Sequence, residues 1–407
     1  MKCSTTTLPA KSESRTERPS ASFSTKAGAG LSMTWKYFSR LDNSCSNSFS
    51  ECAAASGLIV DCFVKGVASG DYDNDGRPDL YVSCRQEQNH LYRNDGPKPG
   101  GAGPTEWQFT DVSEAAGVTQ PIKSFPTWFF DYDNDGWLDI FVSGYSSESA
   151  GDFAADYLGL PHKGVKPRLY HNERDGTFKD VTRAAHLDRL LLTMGSNYGD
   201  LDNDGWLDFY LGTGNPNLGT LVPNRMFRNA GGRYFQDVTT SGGFGHLQKG
   251  HGVSFADFDN DGDEDVYEVM GGVYQGDNYR NVLYENSGHG NHWITLALQG
   301  VKSNRPGIGA RIRVVVDTPG GPREIHRSVS TGGSFGCSPL RQHIGLGDAR
   351  SITEVRVTWP TSGIVQTFRD VAMDAFYRVK EDDPVLAPFI LKTFTMGPRP
   401  TVAAAGR

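Results

Sequence analysis

"DYDNDGWLDI", residues 131–140, places aspartates at positions 1, 3, 5 and 9 of a ten-residue window. Carboxylates packed this closely repel one another, and the glycine among them suits a sharp turn. A hard dication resolves the conflict, because Ca²⁺ accepts roughly six to eight oxygen ligands in a flexible shell. The stretch recurs as "DYDNDGRPDL" from Asp71, "DLDNDGWLDF" from Asp200 and "DFDNDGDEDV" from Asp257. Every copy keeps Asn at position 4 and Gly at position 6, then runs into apolar residues.

Two further modules recur in register. "HLYRND", "RLYHNERDGTF", "RMFRNAGGRYF" and "VLYENSG" each carry an aromatic followed two residues later by asparagine. Three units then add "FTDV", "FKDV" and "FQDV" around Asp111, Asp180 and Asp237. From each of these aspartates to the first aspartate of the next loop is 20 residues. Constant spacing predicts one rigid unit of four short strands: one before the acidic loop, one after it, then "LYxN", then "FxDV". Repeated four-stranded units are blades, so the expected fold is all-β, a β-propeller with the acidic loops at its rim.

The candidate metal ligands are the four carboxylates of each loop. They are Asp71, Asp73, Asp75 and Asp79 in the first, and Asp131, Asp133, Asp135 and Asp139 in the second. Asp200, Asp202, Asp204 and Asp208 follow in the third, and Asp257, Asp259, Asp261 and Asp265 in the fourth. The carbonyl at position 7 can add an oxygen. One Ca²⁺ per loop gives four ions, whose charge would offset the formal net charge of −8. A metal-free surface turn is the competing reading, since Asp and Asn are common turn residues. Residues 257–268 also satisfy the EF-hand pattern through Glu268, but Val82, Val142 and Leu211 stand at that position elsewhere. Their flanks read as strands, so the expected site is a β-hairpin loop.

Loop, "LYxN" and "FxDV" in order resemble the FG-GAP/VCBS repeats of integrin-α-like propellers over residues 45–290. The resemblance implies about seven blades, whereas four loops are present. Twenty residues before Asp71 lies Glu51, in "SFSECAAASGL", which mirrors "QFTDVSEAAGV" at 108–118. The fourth unit lacks its own "FxDV" and runs into "NHWITL". Either a stray first strand completes the last blade of a four-bladed ring, or upstream blades are missing. The resemblance favours truncation.

After the repeats, "HWITLAL", "ARIRVVV", "ITEVRVTW" and "VQTFRDV" alternate apolar and polar residues, predicting a small antiparallel β domain at 291–380. "GNHWITLALQGVKSNRPGIGARIRVVV" and "STGGSFGCSPLRQHIGLG" resemble an ASPIC/UnbV domain, which commonly follows FG-GAP repeats. Residues 381–407 read as a loose tail. Residues 1–44 hold twelve Ser/Thr in the first 32 positions and no apolar h-region, so they read as disordered or non-native, with no signal peptide visible.

Several other readings close off. No run approaches ~18 apolar residues, so no membrane-spanning helix is expected. The acidic balance argues against nucleic acid. Six cysteines form no CxxC or zinc spacing, leaving free thiols, a bridge or two within the stretch from Cys45 to Cys84, or a mixture open. "GGSFG" at 332–336 matches a hydrolase elbow, yet no acid lies between Ser334 and His343 and no histidine follows. It reads as a Gly-rich turn. His251 reads as structural. Trp128, Trp137 and Trp206 read as packing or rim residues.

Asp131 to Tyr170 spans 39 residues against 27 for Asp200 to Phe227, which marks an insertion at 144–167 as a candidate binding element. The functional expectation is a calcium-stabilised, non-catalytic binding or adhesion scaffold for a protein or carbohydrate, outside the cell or in its envelope. A lyase-like polysaccharide enzyme on the same propeller is the alternative.

Overall fold

A computed structural model describes residues 51–99, 107–147, 149–215, 222–271 and 279–397. The segment expected at 1–44 and Cys45 lie outside them. From Cys52 onward the described residues belong to one compact unit.

The repeats become sheets in the expected order. Blade 1 is β1 (Val64–Gly70), β2 (Asp79–Cys84), β3 (His90–Pro97) and β4 (Trp107–Asp111), followed by the one-turn α1 (Ser113–Ala116). Blade 2 is β5 (Ser124–Phe130), β6 (Asp139–Gly144), β7 (Arg168–Asn172) and β8 (Phe178–Asp180), with α2 (Ala150–Tyr157) inserted between β6 and β7. Blade 3 is β9 (Thr193–Gly199), β10 (Asp208–Thr213), β11 (Arg225–Asn229) and β12 (Phe235–Asp237). Among the described residues, blade 4 has three strands: β13 (Gly250–Ala256), β14 (Asp265–Met270) and β15 (Val282–Tyr284).

All strand pairs within the blades are antiparallel, and each acidic loop joins the first two strands. The first strands stand side by side in the order β1, β5, β9, β13, so the blades stack face to face. Aromatic layers fill the interfaces. Tyr81, Leu91, Phe129 and Tyr170 pack between blades 1 and 2. Trp128, Phe141, Phe209 and Phe227 pack between blades 2 and 3. β5 is buried along its entire length because it is covered on both faces, which explains its "SFPTWFF" composition.

The second half is a β-sandwich. One sheet orders β19 (Gln342–Gly347), β16 (His292–Gln299), β22 (Ala375–Lys380) and β23 (Leu386–Phe389). The other orders β18 (Gly321–Ser328), β17 (Arg311–Thr318), β20 (Ser351–Thr358) and β21 (Val365–Phe368). Their inward residues, including Ile294, Leu296, Val314, Ile344, Val355 and Trp359, form one core. Pairing is antiparallel except for β16 and β22, which run parallel.

Within residues 381–397, the described part of the expected loose tail, the chain holds a strand. β23 pairs with β22, and Phe394 donates its N–H to the Asp259 carbonyl. Apolar alternation there is too short to signal a strand, but an exposed sheet edge supplies the partners. Cys62 and Cys84 form a disulfide that ties the approach to β1 onto the end of β2, and Cys52 and Cys337 are free.

Candidate metal centre

Loops 1, 2 and 4 share one hydrogen-bond scheme at positions 1 and 9, and loop 3 keeps it except that Asp200 accepts from Gly205 (3.0 Å) and not from Asp204. In loop 2, Asp131 accepts the N–H groups of Asp135 (3.0 Å) and Gly136 (2.9 Å), and Gly136 supplies the positive φ of 86° that lets the chain wrap back. Asp139 accepts from Tyr132 (3.3 Å) with one oxygen and from Asn172 (2.9 Å) with the other. Asp79, Asp208 and Asp265 repeat this double acceptance, the second donor always being the asparagine of "LYxN". That asparagine therefore locks the carboxylate at position 9, buried at the start of the second strand.

Positions 1, 3 and 9 converge. One carboxylate oxygen from each of Asp71, Asp73 and Asp79 lies within 4.8 Å of the other two, as it does for Asp131, Asp133 and Asp139 and for Asp200, Asp202 and Asp208. Position 5 pairs with arginine in three loops, Asp75 with Arg77, Asp135 with Arg174 (2.7 Å) and Asp204 with Arg228 (3.1 Å), and Arg228 also pairs with Asp202 at position 3. Asp257 wraps loop 4 as Asp131 wraps loop 2, accepting from Asp261 (3.0 Å) and Gly262 (3.2 Å).

The donor set fits a hard cation on an observation independent of the motif. Buried carboxylate oxygens of Asp133, Asp200, Asp202 and Asp259 have no hydrogen-bond partner among the described residues. Burial, with repulsion from neighbouring aspartates, pushes Asp79 and Asp131 up to about 8 and Asp139 and Asp208 well above the carboxylate range. Unpaired buried oxygens and uncompensated charge are the condition that a divalent ion relieves. Glu268, the EF-hand coincidence, is buried in β14, where it accepts the Tyr210 hydroxyl (2.9 Å), and strands flank its loop.

Sequence reasoning missed what asparagine does at position 4. Asn74, Asn134 and Asn203 adopt left-handed φ values of 62°, 54° and 56°. Each side chain donates to the glycine carbonyl of the following loop: Asn74 to Gly136 (3.2 Å), Asn134 to Gly205 (2.8 Å) and Asn203 to Gly262 (2.9 Å). Asn260 has no fifth loop to reach and donates to Lys392 of the tail (3.2 Å). The "LYxN" asparagines couple neighbours as well, with Asn172 reaching the Tyr72 carbonyl (2.9 Å) and Asn229 that of Tyr132 (2.8 Å).

The sandwich covers this acidic rim, also without a sequence signal. Arg311 pairs with Asp71, and buried Arg327 with Asp200 (3.2 Å). Gly345 donates to Asp200 (3.0 Å), and the His343 ring meets the Asn203 side chain (2.6 Å). Burial lowers His343 to about 3, with Arg327 and Arg341 adding to the effect, so the ring is neutral.

"GGSFG" lies against the first strands of the blades: Ser334 exchanges bonds with Thr127, Gly333 donates to Asn197 (3.0 Å), and Ser196 donates to Phe335 (3.2 Å). Ser334 is thus committed to backbone contacts. Trp128 is buried in the core, while Trp137 and Trp206 are half-buried.

The FG-GAP-like repeat family matches residues 71–142, 131–211 and 200–268, and the ASPIC and UnbV family matches residues 300–385. Among solved structures, the chain is similar to the crystal structure of AofleA from Arthrobotrys oligospora, at 9% identity and a TM-score of 0.28. That match covers 82% of this chain and 88% of the other. No curated protein matches.

Proposed function

We propose that this chain, an FG-GAP-repeat protein with a C-terminal ASPIC/UnbV domain, is a non-catalytic scaffold stiffened by one Ca²⁺ in each acidic loop. The buried, unpartnered oxygens of Asp133, Asp200, Asp202 and Asp259 carry this reading. In it, positions 1, 3 and 9 bind the ion, position 5 and the carbonyl at position 7 complete the shell, and the arginines offset the remaining charge. A bound ion would supply cross-links between paired strands, and no chemistry is asked of it.

The scaffold presents an insertion for a protein or carbohydrate ligand. α2 is capped by Ser149 and Asp152, and Asp156 anchors it to Lys166 (2.9 Å) and to the Leu190 N–H (2.8 Å). Tyr157 is 91% exposed at its end, beside exposed Leu158 and Leu160. The Cys62–Cys84 bridge suits an oxidising compartment, and weak Ca²⁺ sites suit millimolar extracellular calcium. The lyase alternative needs a sugar-sized cleft, typically of roughly 300 Å³ or more, and would have to use the cavity beside Phe244, Glu264 and Tyr284, which holds about 660 Å³.

Calorimetric Ca²⁺ titration of the chelator-stripped chain, with thermal melts, tests it. The expected outcome is about four ions bound, each adding about 2.7 kcal/mol of stability at a hundredfold excess over Kd. A sharp melt without any binding heat overturns the calcium reading.

A further inference from the structure

Loop 4 differs from the other three in what offsets its charge. Arg77 pairs with Asp75 in loop 1, Arg174 with Asp135 in loop 2, and Arg228 with both Asp202 and Asp204 in loop 3. The sandwich adds Arg311 on Asp71 and Arg327 on Asp200. Among the described residues, no arginine, lysine or histidine pairs with Asp257, Asp259, Asp261 or Asp265.

The variable residue of "LYxN" accounts for part of the difference. His171 in blade 2 and Arg228 in blade 3 face positions 3 and 5 of their loops, whereas blade 4 has Glu285 there. Loop 4 also carries Asp263 and Glu264 at positions 7 and 8, which makes six carboxylates in the nine residues 257–265.

Its backbone nevertheless takes the shape that gathers ligands. Asp257 accepts the N–H groups of Asp261 and Gly262, and Asp265 accepts those of Phe258 (3.0 Å) and Asn286 (2.8 Å). Asn260 holds a φ of 60°, matching position 4 of the other loops. Asp259 is only 4% exposed, and its Oδ1 has no hydrogen-bond partner. Burying an unpaired charged oxygen is unfavourable by itself. In loops 1 to 3 an arginine offsets part of that charge and repels an incoming dication.

The same loop seats the last described stretch of chain. Beyond β23 the chain crosses to loop 4, where the Thr393 hydroxyl donates to the Asn260 carbonyl (2.8 Å) and the Phe394 N–H to the Asp259 carbonyl (3.0 Å). The Asn260 amide returns a bond to the Lys392 carbonyl (3.2 Å). These contacts grip the backbone of positions 3 and 4, between the candidate ligands. Apolar burial adds little, since no residue from 382 to 397 is buried and Ile390 is 96% exposed. This strap sits only as firmly as the loop backbone beneath it.

We propose that loop 4 is a calcium-operated latch: it takes the first Ca²⁺ bound, and that ion fixes residues 392–394 on the loop and releases them when calcium is withdrawn. The proposal rests on the calcium reading of the loops and adds an order of filling with a structural consequence. One arginine beside a bound dication should weaken a site roughly tenfold, which sets loop 4 apart from the other three. With the ion gone, its aspartates repel one another without a compensating cation, and the backbone under the strap loosens. Loops 1 to 3 keep their arginines in either state.

Hydrogen exchange of the full chain across a calcium titration, read beside calorimetry, tests this. Protection of the Phe394 amide should rise roughly tenfold or more as the tightest site fills, while the amides of β17 stay unchanged. Glu285→Arg, which gives blade 4 the arrangement of Arg228, should move both that binding step and the Phe394 midpoint to roughly tenfold higher calcium. Asp259→Asn should remove the tightest step and leave Phe394 exchange independent of calcium. A tightest step that survives Asp259→Asn overturns the order of filling. Phe394 protection that ignores a filled tightest site overturns the latch. Absence of binding heat at every concentration overturns the calcium reading itself, and the latch with it.

Discussion

Replacing Asn172 with alanine isolates the bond that joins one blade to the next. Its side-chain amide donates to the Tyr72 carbonyl in blade 1 (2.9 Å) and to the Leu138 carbonyl in its own loop (3.0 Å), and its oxygen accepts from Arg174 (2.9 Å). The side chain is buried, so both carbonyls lose their donor without water at hand. Each buried group left unpaired costs about 1–3 kcal/mol. Two carbonyls and the lost Arg174 bond together predict a loss of about 3–5 kcal/mol. Asn94 is the internal control: it reaches Pro78 (3.0 Å) and Gly96 (3.1 Å) within blade 1. Asn94→Ala should therefore cost about 1–3 kcal/mol less than Asn172→Ala. Urea denaturation in saturating calcium measures both. Equal losses would refute the claim that this asparagine fastens neighbouring blades.

Glu381 predicts an acid-sensitive sandwich. Burial raises its carboxyl, but hydrogen bonds from Ser362, Ser303 and the Val301 N–H outweigh that and bring it down to about 2. A folded pKa below the unfolded one means stability that is present above about 4.5 and lost as pH falls toward 2. About 2 kcal/mol should disappear between pH 6 and pH 3 beyond the change seen in Glu381→Gln; parallel pH curves for the two proteins would contradict it. Gly195→Ala should cost more than about 3 kcal/mol, because its new methyl would lie 1.2 Å from the His251 carbonyl oxygen, forcing β9 and β13 apart. Thermal melts decide this, and an unchanged midpoint would show that the two strands sit further apart than described.

The repeat was legible because it is local. Position 1 to position 9 is one turn, and the 20-residue step to the next loop is one strand and one linker, so spacing alone implies the blade. What stayed hidden is long-range. Asn172 and the carbonyl it holds are 100 residues apart, and His343 and Asn203 are 140 apart. No periodicity marks such pairs. "GGSFG" read as a Gly-rich turn, but nothing local showed that its small residues answer to the close first strands around it. The carboxylate at position 5 was read as equal to its neighbours, yet the arginines that draw it aside come from outside the ten-residue window in loops 2 and 3.

The asparagine at position 4 points one way, from each loop to its successor, and that polarity makes the rim a line of nearest-neighbour joints. Stability in such a line spreads from joint to joint and frays from whichever end is weaker. At the far end the Lys392 carbonyl, from outside the repeats, acts as a doorstop for Asn260. A chain ending before it would loosen at blade 4 first, while blade 1, three joints upstream, would hardly register the loss.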